Sequence, residues 1–254
     1  MDTVEPSKLN RLITDLPQGV VFLSSWLADN GYSYDLQKVY RKNRWLTSIG
    51  SGAMIRSGYQ VDYLGAIYAL QVYAKSNIHP AARTALALSG KSHYLEMNLN
   101  KAILFGVAKE ELPTWFKRYN WGLEIDYYTT SMLPSGVGLI DYTVYNFKIK
   151  ISGSIRAIME CIYLAQEEAS LIECYELMEG LNNLVPKKVQ TLLEQCTSVK
   201  VKRLFLYFAE KANHTWLKYV NLDNIDLGKG KRSLIKDGIY IPKYQITVPK
   251  INVR

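Results

Sequence analysis

Between Ser24 and Arg56 the chain is cut by glycines and hydroxyl residues into units too short for anything but small helices and one tight hairpin. Ser24 or Ser25 can cap a first helix, because a hydroxyl there accepts a bond from an orphan backbone N–H. Trp26 and Leu27 anchor that helix, and Gly31 stands where a left-handed residue ends it. Ser33 can cap a second helix, in which Leu36, Val39 and Tyr40 follow the i, i+3, i+4 spacing of a buried stripe. Gly50 and Gly52 then permit the positive φ of a hairpin turn in the run Trp45–Arg56.

The opposite face of the second helix carries Tyr34, Gln37, Lys38 and Arg41 at i, i+3, i+4 and i+7, with Lys42 and Arg44 at its flank. Arg, Lys and Gln reach base edges or phosphates, and a helix fits the DNA major groove. Helix, turn, polar-faced helix and glycine-tipped hairpin is the order of a winged helix-turn-helix. From Ser33 to Arg56 five basic residues face one acid, Asp35, which is a phosphate footprint. The candidate DNA-binding residues are therefore Ser33, Tyr34, Gln37, Lys38, Arg41, Lys42 and Arg44 on the helix, with Ser51 and Arg56 on the wing. A solvated surface hairpin fits the same pattern.

The net charge of +8 sits unevenly. Residues 195–254 hold twelve basic residues against four acids and account for the whole excess. Within them Lys202, Arg203, Lys229, Lys231 and Arg232 form a possible second basic contact. Hydrophobic content of 48% describes a globular chain with a sizeable core. No apolar run reaches the length of a membrane span, and the N-terminus shows no secretory h-region. Three sparse cysteines, Cys161, Cys174 and Cys196, lie on apolar stripes and fit a reducing cytoplasm.

In chain order, a first helix is predicted over Ser7–Leu16. After the hairpin, Tyr63, Ala66, Ile67, Leu70 and Ala74 form a helical stripe, and Pro80 is placed to open a helix over residues 81–88. From Lys91 the texture changes. HYLEM and AILFG look like strands, WGLEIDYY alternates with Trp121, Leu123, Ile125 and Tyr127 on one side, and YNFKIKI alternates too. Helices follow at Ser154–Leu164, Leu171–Met178, Pro186–Cys196 and Val199–Ala212, the last with Lys202, Arg203 and Lys211 outward. Short strands GIYI and YQITV end the chain. The fold class is α+β: a winged helix-turn-helix at residues 1–60, a helical connector at 61–90, and a larger mixed α/β domain at 91–254 with a basic tail.

No catalytic or metal-ligating set emerges, and no cofactor is implied. His79, His93 and His214 lack ligand spacing. Glu124 and Asp126 share a strand face, with Lys148 and Lys150 on another strand. A metal-dependent nuclease centre and plain cross-strand ion pairs both fit that face. GKGKRS (Gly228–Ser233) lacks the spacing of a phosphate loop, leaving a basic turn on a phosphate backbone or a solvated one.

The run SSWLADNGYSYDLQKVYRKNRWLTSIGSGAMIRSG resembles the winged-helix head of the AbiEi family, antitoxins of type IV toxin–antitoxin systems. HPAARTALALSGKSHYL, AILFG, ISGSIRAIMECIYLAQEE, CYELMEGLNNL, SVKVKRLFLYFAEKA and GKGKRSLIKDGIYIPKYQITVP extend the resemblance over nearly the full length. It implies a cytoplasmic DNA-binding protein with no chemistry of its own. Such a protein represses its own operon at inverted repeats and counteracts a nucleotidyltransferase toxin, directly or indirectly. It also implies Ser33–Arg44 as recognition helix, Trp45–Arg56 as wing, and toxin neutralisation by the C-terminal domain. A solitary regulator and a DNA-targeted nuclease are the competing readings.

Overall fold

In the computed structural model, which describes residues 8–90 and 100–250, Leu12, Leu27, Tyr40, Leu46 and Met54 all turn into one core around Phe22. Short elements bring them there: α1 (Lys8–Thr14), β1 (Phe22–Leu23), α2 (Ser24–Asp29), α3 (Tyr34–Lys42), β2 (Leu46–Gly50) and β3 (Ala53–Arg56). The strands form an antiparallel sheet in the order β1-β3-β2, so β3 is central and wholly buried while β2 is the outer strand of the wing. This is a winged helix. Gly31, at φ +87°, ends α2 as its position predicts. Neither Ser24 nor Ser25 caps that helix. Ser24 is already its first residue and Leu23 holds the cap position without a side-chain bond.

Beyond the wing, α4 (Tyr63–Tyr68) runs into a π-helical turn, Ala69–Tyr73. The wider turn presents Gln71, whose amide bonds both the N–H and the carbonyl of Lys150 and also the Ile78 carbonyl. Pro80 does not open a helix. It pairs with Leu104 in a two-residue strand, β4 (His79–Pro80), and α5 (Ala82–Leu88) begins after it. The expected strand HYLEM lies outside the described residues. AILFG is strand β5 (Lys101–Val107), which runs parallel to β6 (Glu124–Thr130) in the sheet β4-β5-β6. Trp121 and Leu123 precede β6 rather than forming part of it. Between β5 and β6, α6 (Thr114–Arg118) carries Trp115 and Phe116 inward.

A hairpin of β7 (Leu139–Val144) and β8 (Phe147–Ser152) comes next, with Phe147, Ile149 and Ile151 buried as the alternation predicts. Helices α7 (Ser154–Leu164), α8 (Glu168–Glu179), α9 (Pro186–Gln195) and α10 (Val199–Lys211) complete the larger core. A last small sheet, β10-β11-β9, joins Ile239–Ile241, Ile246–Val248 and Arg232–Ser233. No helix among the described residues is long and apolar enough to cross a membrane.

At the centre lies Glu160 of α7, fully buried. Its carboxylate accepts from Arg156 Nε (2.8 Å), Ser152 Oγ (2.7 Å) and the Ala82 N–H (2.9 Å), and His79 Nε2 is 3.5 Å away. Burial alone would push this carboxyl up, but His79, Arg156 and the Ala82 N–H together hold it below the usual carboxylate range. A lowered folded-state pKa stabilises the fold above the ordinary glutamate value of about 4.3, and that contribution fades as pH falls below it. Glu160→Gln strands the Arg156 cation, so it is expected to cost about 3–5 kcal/mol in urea unfolding at pH 7. The gap from the unsubstituted protein should narrow when the measurement is repeated below about pH 4.

Candidate nucleic-acid interface

The angle between α2 and α3 is set by one amide. Gln37 is 2% exposed, and its Nε2 donates to the carbonyls of Ser24 (2.9 Å) and Tyr32 (2.7 Å). Its Oε1 accepts from Ser24 Oγ at 2.5 Å. The expectation that Gln37 faces base edges is therefore corrected. All of its hydrogen-bonding groups are engaged inside the head, where they join α2, the turn and α3. Ser33 does cap α3, accepting from the Leu36 N–H at 3.3 Å. Val39, placed on the buried stripe by its spacing, is 48% exposed.

With Gln37 drawn inward, the outward face of α3 is Tyr34, Lys38 and Arg41, with Lys42 beside it and Arg44 just past its end. Tyr34 is 63% exposed. Arg44 takes a left-handed φ of +59° and turns the chain into β2. Among the described residues none of these four cations meets a carboxylate in an ion pair. Ser51 is exposed at the tip of the wing. Arg56 is not a wing contact. It is 5% exposed and its Nη2 donates to the Leu12 and Leu16 carbonyls at 2.7 and 2.6 Å, satisfying the open end of α1.

Between α3 and the wing lies an open cleft of about 310 Å³, lined by Ser24, Tyr34, Gln37, Arg41, Ser48 and Ser51 among others. Ser24 and Ser48 are additions to the candidate DNA-binding residues, the sequence pointing to Ser24 only as a helix cap. Strand alternation gave no signal for Ser48, which falls at i+2 from buried Leu46 and so on the same side of an ideal strand; the register shift between Ser48 and Gly50 is invisible to the period. Ser24 became legible only through its partner across the turn, Gln37. The tip is tethered by the Ser24 N–H, which donates to the Gly52 carbonyl at 2.8 Å.

The second basic set divides in two. Lys202 and Arg203, expected outward, are 4% and 1% exposed. Arg203 donates to the carbonyls of Leu227 (2.7 Å), Gly228 (3.0 Å), Gly230 (2.7 Å) and Gln245 (3.2 Å). A guanidinium's five fixed donors suit that task. Lys229, Lys231 and Arg232 are exposed on the loop that Arg203 gathers, and Lys231 lies over the Tyr240 ring at 5.1 Å.

The acids expected beside Lys148 and Lys150 have another neighbour. Asp126 meets Lys101 at 2.8 Å and Glu124 meets it at 3.5 Å, across the parallel β5–β6 pair. Lys150 pairs with Asp141 on β7, in a different sheet. No group of three or more metal-ligating side chains occurs among the described residues. All three cysteines are buried, and burial pushes the Cys174 thiol up to about 12, which disfavours the thiolate a nucleophile needs.

Residues 5–97 match the family model described as "Transcriptional regulator, AbiEi antitoxin N-terminal domain". Residues 99–249 match "Transcriptional regulator, AbiEi antitoxin, Type IV TA system". The chain belongs to the AbiEi antitoxin family. Among solved structures, this AbiEi antitoxin is similar to the crystal structure of RV2827C protein from Mycobacterium tuberculosis. The TM-score is 0.55 at 14% identity, covering 97% of this chain and 93% of the other, so the likeness is one of fold. No curated protein matches. Members of the family are transcriptional regulators and antitoxins of type IV systems.

Two adjacent residues of α3 should behave oppositely. Gln37→Leu removes the bonds to the Ser24 and Tyr32 carbonyls and the acceptor of the Ser24 hydroxyl, and is expected to destabilise the fold by about 1–3 kcal/mol. Lys38→Ala on the exposed face should change stability by under about 0.5 kcal/mol. Urea denaturation of both variants measures the difference.

Proposed function

We propose that this antitoxin binds double-stranded DNA with α3 in the major groove and its wing alongside, and represses its own operon at an inverted-repeat operator. The observation that carries the reading is the exposed cationic face of Lys38, Arg41, Lys42 and Arg44 next to the open cleft, a face with which no carboxylate among the described residues pairs. Cations left without carboxylates keep their charge available for phosphates, and counterion release then drives association. Ser33, Tyr34 and Ser51 complete this interface as hydroxyl groups around the same face. Lys229, Lys231 and Arg232 form a second, sequence-independent contact, presented by the loop that Arg203 holds. The larger C-terminal part counteracts a nucleotidyltransferase toxin in the cytoplasm, by direct or indirect means, and the protein performs no catalysis itself.

Reading and positioning should separate by substitution. Arg41→Ala is expected to weaken binding to DNA from upstream of its own gene by about 1–3 kcal/mol, with a smaller loss on random duplex. Lys42→Ala should weaken both equally. Equal losses for the two variants in a mobility assay would refute this division of the face.

Repression and antitoxicity should also part. The double variant Lys38→Ala, Arg41→Ala removes two exposed cations and opens no core cavity, so the fold persists. It is expected to lose operator binding yet still rescue growth when expressed from an unrelated promoter beside the cognate toxin. If a folded, normally abundant double variant fails to rescue, neutralisation runs through DNA binding.

A further inference from the structure

The wing is not held by the head alone. Gly50, the last residue of β2, lies against α6, an element from the other family-matched half of the chain. A Cβ placed on Gly50 would stand 2.7 Å from Trp115 Cβ and 3.0 Å from Trp115 Cα. Those atoms cannot swing aside as the end of a flexible side chain could, so wing backbone and helix are in direct register. Only glycine permits that approach.

Trp115 is itself fixed. It is 6% exposed and sits in an aromatic cluster with Phe116 (5.7 Å between ring centroids) and Trp121 (6.4 Å). The Trp121 indole N–H donates to the Phe116 carbonyl at 2.9 Å, closing the cluster over the helix. Near its tip the wing is also tethered by the Ser24 N–H to Gly52 carbonyl bond. Its pitch relative to α3 is thus bracketed by α2 on one side and by α6 on the other.

We propose that Trp115 is a positioning residue for DNA recognition: it sets the wing at the pitch that α3 requires, so that sequence discrimination depends on the second half of the chain. The inference rests on the DNA-binding reading above. Its physical content is a short-range one. Affinity for phosphates comes from charge and survives a displaced wing, whereas discrimination needs helix and wing engaged together. Displacing α6 therefore removes preference before it removes binding.

The experiment uses the full chain with two variants, Gly50→Ala, which forces wing and helix apart, and Trp115→Ala, which removes the indole anchor. Amide hydrogen exchange over residues 46–56 is read without DNA, and binding is read on duplex from upstream of its own gene and on random duplex of equal length. The expected result is faster exchange in the wing for both variants. Operator affinity should fall tenfold or more while random-duplex affinity stays within about twofold and its salt slope is unchanged. A merely structural loss of folded protein would instead lower both affinities by the same factor, and that result overturns the proposal. Unchanged exchange in Gly50→Ala, which leaves the aromatic cluster intact, overturns it as well, whatever the DNA does. A parent protein that never prefers its upstream DNA defeats the DNA-binding reading instead, and the exchange measurement then still decides whether Trp115 holds the wing.

Discussion

A carboxylate with no access to water must find its whole solvation shell inside the protein, and Glu160 draws that shell from both family-matched halves. His79 and the Ala82 N–H come from the first, Ser152 and Arg156 from the second. Ala82 is held at a φ of +47° while making its bond, a conformation the carboxylate helps to maintain. The same seam is closed by β4 pairing with β5, by Glu110 accepting from Ser76 Oγ and the Asn77 N–H, and by Tyr68 packing edge-on against Phe147. The two halves are therefore built as one structure. Removing either would leave the other with buried polar groups and no partners.

Three arginines do a similar job at separate places. Arg56 closes α1, Arg156 reaches the carbonyls of Pro134 and Val137, and Arg203 gathers the loop after α10. In a chain with a net charge of +8, two of these, Arg56 and Arg203, are cations that the sequence assigned to nucleic acid. Counting charges locates a basic protein but does not say which charges face outward. Arginine's rigid fork satisfies several carbonyls at once, and lysine's flexible ammonium is the better group to leave in water. That chemistry suits buried Arg56 and Arg203 and exposed Lys38 and Lys229, although Lys202 is buried and Arg41, Arg44 and Arg232 are exposed.

Features governed by neighbours in the sequence were legible, and features governed by distant partners were not. The helix Ser154–Leu164 and the alternation of Phe147, Ile149 and Ile151 follow from local period, and the structure has both. The Ser33 cap and the left-handed Gly31 are equally local. Gln37 was misplaced because its outward spacing says nothing of the two carbonyls waiting beneath it. Pro80 was misplaced because Leu104, 24 positions further on, competes for it in a strand pair, which no helix-start rule can register. The lysine partner of Glu124 and Asp126 depended on which strands pair, and β5 rather than β8 proved to be the neighbour.

The outward cations are useful because the inward groups are fixed. Gln37 holds the helix that presents Lys38 and Arg41, and Arg203 holds the loop that presents Lys229, Lys231 and Arg232. A ligand meeting such surfaces has little backbone left to order, so more of the contact energy appears as affinity. The wing follows the same logic with a difference. Its anchor at Gly50 belongs to α6, beyond the boundary between the matched halves. An internal polar pin makes a recognition element rigid on its own, whereas a backbone seated on a neighbouring helix makes it rigid only while that helix stays in place. The first arrangement isolates DNA recognition from the rest of the antitoxin, and the second exposes it to whatever displaces α6.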